Sequence, residues 1–290
     1  MTEIKNRYDM MYLFDVTNGN PNGDPDMDNM PRTDPETGIG LVSDVCIKRK
    51  IRNYVSLTHG NEEGYEIFVA EKAVLNDRIA AEWDKAAEGR SAAEVRKSKA
   101  DGDIQFNARQ RLCRRYFDIR AFGAVLSTGE KNAGQVRGPL QFTFANSFDP
   151  VSLINVTMTR GAVTKAEDAE KERTMGHKYI IPYGLYKGYA FLSPALAAQT
   201  GYSQEDFELT CEALLNMFDH DRSAARGFMT LRQLFVFKHA TPLGSCAPID
   251  LFERVKIRKA EGVAAPRSYS DYIVTLDGNA ITERKVIIDV

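Results

Sequence analysis

Apolar residues fill both parities of Tyr8–Val16 (YDMMYLFDV), and a strand that is apolar on both faces belongs in the middle of a sheet covered from both sides. The pattern then breaks into NGNPNGDPDMDNMPRTDPETGIG, residues 18–40, whose Gly, Pro, Asn and Asp favour turns and place it in a surface loop. Ser43 is an N-cap for a helix ending near Thr58, with His59–Gly60 as the stop. Its spacing predicts an apolar edge at Val45 beside a cationic edge at Lys48, Arg49 and Arg52.

From Gly60 to Arg115 the texture changes to Ala-, Glu-, Lys- and Arg-rich helical segments, Glu71–Glu88, Ser91–Lys99 and Asn107–Tyr116, with Trp83 anchoring a small core of their own. This region reads as an insertion. Apolar character returns at 117–127, and Pro139–Ala145 and Ser152–Thr159 alternate as strands. Arg160–Gly176 is a charged, exposed excursion. Lys178–Leu192 is a strand in which Pro182, Gly184 and Gly188 predict bulges or close approach by another group. Ser203 with Asp206 resembles a capping box and opens an amphipathic helix, Gln204–Asp219, with Phe207, Cys211, Leu214, Leu215 and Phe218 on one face. Strands follow at Leu231–Lys238, Leu251–Ile257, Tyr272–Leu276 and Val286–Asp289. Strand, helix, strands, helix, strand is an α+β order compatible with a ferredoxin-like or RNA-recognition-type sheet.

The 290 residues, 43% hydrophobic and 27% charged, suit a globular chain of two domains or of one with large insertions. No apolar run approaches the roughly 18 residues of a membrane span, and the start MTEIKNR is not a signal peptide, so a cytoplasmic location is expected. Cys46, Cys113, Cys211 and Cys246 are far apart, which predicts neither disulfide nor structural metal. A net charge of −2 gives no hint of a polyanion partner, but its distribution does. Lys48–Arg52 and Arg109–Arg120 are basic, while acid collects in Asp24–Glu36 and Glu167–Glu172.

Asp24, Asp26 and Asp28 alternate like the start of a calcium loop, but Asn29 and Pro35 occupy the places that need Gly and a bidentate Glu. Neither a phosphate-binding GxxxxGK[ST] nor a GxGxxG is present, and His59, His177, His220 and His239 lie in no nucleophile motif, so no cofactor is expected. The basic clusters point to single-stranded nucleic acid. Tyr54, Phe122, Tyr179 and Tyr183 are candidates for base stacking, and Asn18, Asn20 and Asn22 for donating to phosphates or 2′-hydroxyls.

Three blocks, VTNGNPNGDPDMDNMPRTDPETGIGLVSDVCIKRKIRNYV, DIRAFG and TMGHKYIIPYGLYKGYAFLSP, resemble in order the backbone subunit of the type I-C CRISPR surveillance complex, Cascade. The resemblance implies a palm with a modified RNA-recognition (RRM, ferredoxin-like) fold over 1–59, 116–159 and 179–290, a finger-like insertion over 60–115 and a β-hairpin thumb over 160–178. It implies a non-catalytic subunit whose copies stack head to tail on a CRISPR guide RNA (crRNA) and present it to target DNA, alongside the crRNA-end-binding, large and small subunits. Guide contacts would fall on Asn18, Asn20, Asn22, Ser43, Lys48, Arg49 and Arg52, on a second strip at Arg120, Phe122 and Gly123, and on the thumb edge at Met175, His177 and Lys178, with Met175 as the wedge between bases. Arg90, Arg96, Lys97 and Lys99 of the insertion would attract target DNA. Related backbone subunits of type III systems cut target RNA with a loop aspartate. A metal-dependent ribonuclease at Asp24–Asp28 therefore stays open as an alternative, as does a general single-strand RNA binder.

Overall fold

The computed structural model describes residues 2–88, 98–160, 162 and 174–290, with backbone alone at 98–101, 160, 174 and 175. The first strand, Tyr8–Gly19, is central, as its two apolar parities require. It pairs antiparallel with the long strand Thr174–Leu192 on one side and with Phe228–Lys238 on the other. The sheet continues outward through Ala145–Pro150 to Ile39–Val42 at one edge, and ends at the other in Lys285–Asp289, which runs parallel to Phe228–Lys238. The result is a large mixed sheet in a mixed α/β chain.

Each parity of the first strand has its own cover. Met10, Tyr12, Phe14 and Val16 pack under the basic helix Asp44–His59 and the capped helix Gln204–His220, against Ile47, Ile51, Phe207, Leu214 and Phe218. Met11 and Leu13 face the opposite way, toward Phe235, Phe237, Leu251, Phe252 and the small sheet that contains Val255 and Val274. Two buried acids end that second row. Asp9 accepts from His239 at 2.8 Å and Arg7 at 3.0 Å, while Asp15 accepts from Arg232 at 2.8 Å and Tyr183 at 3.1 Å.

The glycines of the long strand mark close approach, one of the two alternatives their sequence left open. Register against the first strand is unbroken from Tyr8↔Leu192 to Thr17↔Tyr183. Gly188 lies opposite Tyr12, whose ring covers it so closely that an added Cβ would sit 2.3 Å from Cζ. Among the described residues no helix is long and apolar enough to cross a membrane.

The insertion has its own core of Phe68, Ile79, Leu112, Tyr116 and Ile119, with Trp83 packed at its rim. Among the described residues its helices are Leu75–Ala87 and Ser98–Arg115, the first starting later than Glu71 because Lys72 takes a left-handed φ of 61°, while the expected segment Ser91–Lys99 lies mostly outside the described residues. Between them Glu82, with 4% of its side chain exposed, receives Lys85 at 2.8 Å, Arg111 at 3.1 Å and Arg115 at 2.9 Å. Burial pushes its carboxyl up, but hydrogen bonds from these three cations outweigh it and hold the group below its ordinary 4.5. A lowered folded value stabilises the fold above pH 4.5, and that contribution fades as pH falls through the folded value. The stability difference between the parent chain and Glu82→Gln, measured by urea denaturation, is therefore expected to be full at pH 6 and to shrink steadily below the ordinary 4.5.

Candidate nucleic-acid interface

The polar loop after the first strand is folded onto its neighbours. Asn18 takes a left-handed φ of 48° and is exposed, and the next peptide is stitched to a distant segment by Asn20 N–H donating to the Ala225 carbonyl at 2.8 Å. Gly19 and Gly227 permit this approach, since a Cβ on Gly19 would lie 2.0 Å from the Arg226 carbonyl oxygen. Asn20 is buried. Its amide donates to the Asn29 carbonyl at 2.6 Å, and its Oδ1 has no hydrogen-bond partner among the described residues. The Oδ1 of Asn22 accepts from both the backbone N–H and the hydroxyl of Ser43 at 2.9 Å. Ser43 Oγ in turn accepts from Cys46 N–H at 3.3 Å, capping the basic helix as expected.

That helix turns differently from its expected phase. Val45 is exposed, and Ile47, Lys50, Ile51, Tyr54 and Val55 form the buried face. Lys50 pairs with Asp221 and lies over the Phe218 ring. Lys48 pairs with Asp44 at 2.9 Å and Arg52 with Asp118 at 2.8 Å, and both cations sit above the ring of Phe122, at 5.8 and 5.2 Å. Arg49 alone of the four basic positions is exposed, and no acidic group among the described residues pairs with it. It borders a depression of 370 Å³ lined also by Asn20, Asn22, Lys50, Asp221, Ser223 and Arg226, in which Asp221 pairs with both Lys50 and Arg226. The segment 221–226 is the wall that the sequence reading missed.

Several expected contact residues lie inside the protein. Arg120 is 2% exposed, donates to both carboxylate oxygens of Asp206 at 2.7 and 2.9 Å, and also bonds the Gly64 carbonyl. Its guanidinium is taken up by these two partners inside the core. Phe122 is buried, 7% exposed, with the Lys48 and Arg52 cations over its ring. Tyr54 and Tyr183 are likewise buried and donate to Glu212 at 2.7 Å and Asp15 at 3.1 Å. Gly123 ends the short helix Phe117–Phe122 at φ 82°, where a Cβ would fall 2.4 Å from the Val136 carbonyl oxygen. In the acidic loop, Asp24 accepts from Asp26 N–H at 3.1 Å and pairs with Arg32 at 3.1 Å.

The remaining positions fall on or beyond a β-hairpin. Ile154–Arg160 pairs antiparallel with Thr174–Ile180, setting His177 opposite Thr157, Lys178 opposite Val156 and Met175 opposite Thr159. His177 is exposed, with Nδ1 3.3 Å from both Thr157 Oγ1 and Asn155 Oδ1. The side chains of Met175 and Lys99, and the whole of Arg90, Arg96 and Lys97, lie outside the described residues.

A large mixed sheet covered by helices, with a β-hairpin and a depression bordered by Arg49 at one strand end, defines a mixed α/β protein. The chain belongs to the CRISPR-associated protein Cas7 family, whose model matches residues 6–277. It is 27% identical over 239 residues to CRISPR-associated protein Cas7 of Haloferax volcanii, a match that covers 70% of this chain and 61% of the relative's length. Among solved structures it is similar to a chain of a CRISPR RNA-guided surveillance complex, pre-nicking, with a TM-score of 0.49, 16% identity and coverage of 79% of this chain and 77% of that one. A chain of the type III-B Cmr-beta complex bound to cognate target RNA gives a TM-score of 0.44 and 12% identity over 80% of this chain and 61% of that one.

Proposed function

We propose that this chain is the non-catalytic backbone subunit of a type I-C CRISPR surveillance complex, a cytoplasmic protein that holds guide RNA and presents it to target DNA. The observation that carries the reading is the Arg49 depression, an unneutralised cation and amide-rich walls in a chain of the Cas7 family. Such a surface grips a sugar-phosphate backbone without reading bases, and leaves sequence recognition to base pairing. The order Phe228–Lys238, Tyr8–Gly19, Thr174–Leu192, Ala145–Pro150, with the basic and capped helices as crossovers, is that of a split βαβ sheet and supports an RNA-recognition-type palm. The insertion between Gly60 and Arg115 serves as the finger. The paired arms Ile154–Arg160 and Thr174–Ile180 carry the thumb, with Met175 as the wedge. Copies stack head to tail, an arrangement that does not close on itself and follows the guide until other subunits cap it.

Arg49→Glu is expected to lower the RNA that co-purifies with the complex by about tenfold, since reversal both removes a phosphate contact and adds a repulsive charge. Because Arg49 is exposed and has no acidic partner among the described residues, the thermal melting of the isolated chain should stay unchanged. Undiminished guide content in the variant rejects the assignment. Sequencing the bound RNA separates a guide, which carries repeat-derived ends, from arbitrary cellular RNA.

A further inference from the structure

The helix Ser98–Arg115 divides its arginines between two unlike surfaces. On one, Arg111 and Arg115 are bound to Glu82 and Glu66 at 2.8–3.1 Å. On the other, Arg109 and Arg114 have no acidic partner among the described residues, and neither does Arg137 on the strand Gln135–Arg137. These arginines converge on an open cleft of 660 Å³ whose lining contains no Asp or Glu. Phe106 stands at its edge, 51% exposed, with the Arg109 guanidinium 5.4 Å from the ring centre. Gln110 and Gln135 add amide donors and acceptors.

Each part has an ordinary explanation alone, because solvated arginines and single exposed aromatics are common. Their coincidence is not ordinary. A neighbouring hollow on the same insertion, which Arg114 also borders, is lined by Glu63, Glu66 and Glu82 as well as by cations, so acid is available nearby and yet absent from this cleft. Cations without an acidic partner among the described residues, an exposed aromatic ring and side-chain amides, of which Gln110 already donates to the Gln199 carbonyl at 3.2 Å, together match a ligand with repeated anions and flat apolar faces, which is a single-stranded polynucleotide. An acidic peptide would neutralise the arginines but give Phe106 no flat partner.

Position separates this cleft from the guide groove. The cleft borders the helix Pro194–Thr200, which follows Leu192, the partner of Tyr8 at the start of the first strand. The Arg49 depression lies past Gly19 at the other end of that strand, and the two ends are roughly 35 Å apart at the rise of a β-strand. We propose that the cleft between Arg109, Arg114 and Arg137 holds a second single strand of nucleic acid, with a base against Phe106, independently of any strand in the Arg49 depression.

The test is fluorescence anisotropy of a fluorescein-labelled 15-nucleotide oligo-dT titrated with the full chain carrying Arg49→Glu, which weakens the Arg49 depression so that changes at the cleft are read against a reduced background. Phe106→Ala is expected to weaken binding about tenfold with an unchanged salt dependence, because it removes stacking alone. The triple change Arg109→Gln, Arg114→Gln, Arg137→Gln is expected to lower the slope of log affinity against log salt by about 2, the loss of three phosphate contacts to a single strand. Circular-dichroism melting verifies that these variants remain folded. Absence of probe binding by the parent, or equal binding by parent and both variants, overturns the proposal. So does displacement of the probe by an acidic peptide copying residues 24–36 when Phe106→Ala has no effect, since the occupant is then a second copy of the chain. Loss of oligo-dT binding in the cleft variants, with guide content intact in Arg49→Glu, keeps this proposal and rejects the guide assignment.

Discussion

Replacing Arg120 by methionine is expected to cost the folded chain about 3–5 kcal/mol, the range for removing one partner of a buried ion pair. The loss has several parts. Asp206 is fully buried, and among the described residues the capping hydrogen bond from Ser203 N–H at 3.0 Å is all that its carboxylate keeps without Arg120. The Gly64 carbonyl, which joins the insertion to the palm at this point, loses its donor. Arg120 also lies 5.0 Å from the ring of Tyr65 and 5.5 Å from that of Phe117, so packing around the charge is lost as well. Urea denaturation measures the effect. Adding Asp206→Asn to Arg120→Met should recover part of the stability, because the second change removes the stranded charge. A variant that melts normally but releases its RNA would instead give Arg120 the contact role that its burial denies.

The second large effect is expected at Asp118. Its carboxylate accepts from the backbone N–H of Phe68 at 2.7 Å, from that of Val69 at 3.0 Å and from Arg52 Nε at 2.8 Å. Asp118→Ala strands these donors, at about 1–3 kcal/mol for each buried one that finds no replacement. The damage should be local before it is global. Hydrogen exchange at the amides of Phe68 and Val69 is expected to accelerate far more than exchange at Met10–Phe14. Asp118→Asn keeps an acceptor oxygen and should fall between the parent chain and Asp118→Ala. Equal exchange at both places in Asp118→Ala would show that this carboxylate does not latch the insertion to the palm.

What could be read from the chain alone follows the range of the interactions concerned. The central strand and the capped helix were legible because a two-sided apolar run and a Ser–Asp capping box are local signals, and both are present as expected. The phase of the basic helix was not, because Lys50 carries a charge yet faces inward to Asp221, a partner 171 residues away. Arg120 misled for the same reason. The helix Phe117–Phe122 is too short to show a periodicity, and the group that draws Arg120 inside lies 86 residues later. At the depression, the sequence supplied one wall, Asn20, Asn22 and Arg49. The other, Ser223 and Arg226, is brought there by the link from Asn20 to Ala225, which no spacing pattern announces.

The long strand Thr174–Leu192 has a mechanical consequence. One uninterrupted segment forms an arm of the hairpin over Thr174–Ile180 and then a central member of the sheet from Ile181 onward. A load applied to that arm along its axis is therefore carried in shear by the ladder from Thr17↔Tyr183 to Tyr8↔Leu192, with the hydrogen bonds strained together and not peeled one by one. Whatever grips the hairpin pulls directly on the middle of the protein, and the deepest part of the sheet serves as its anchor.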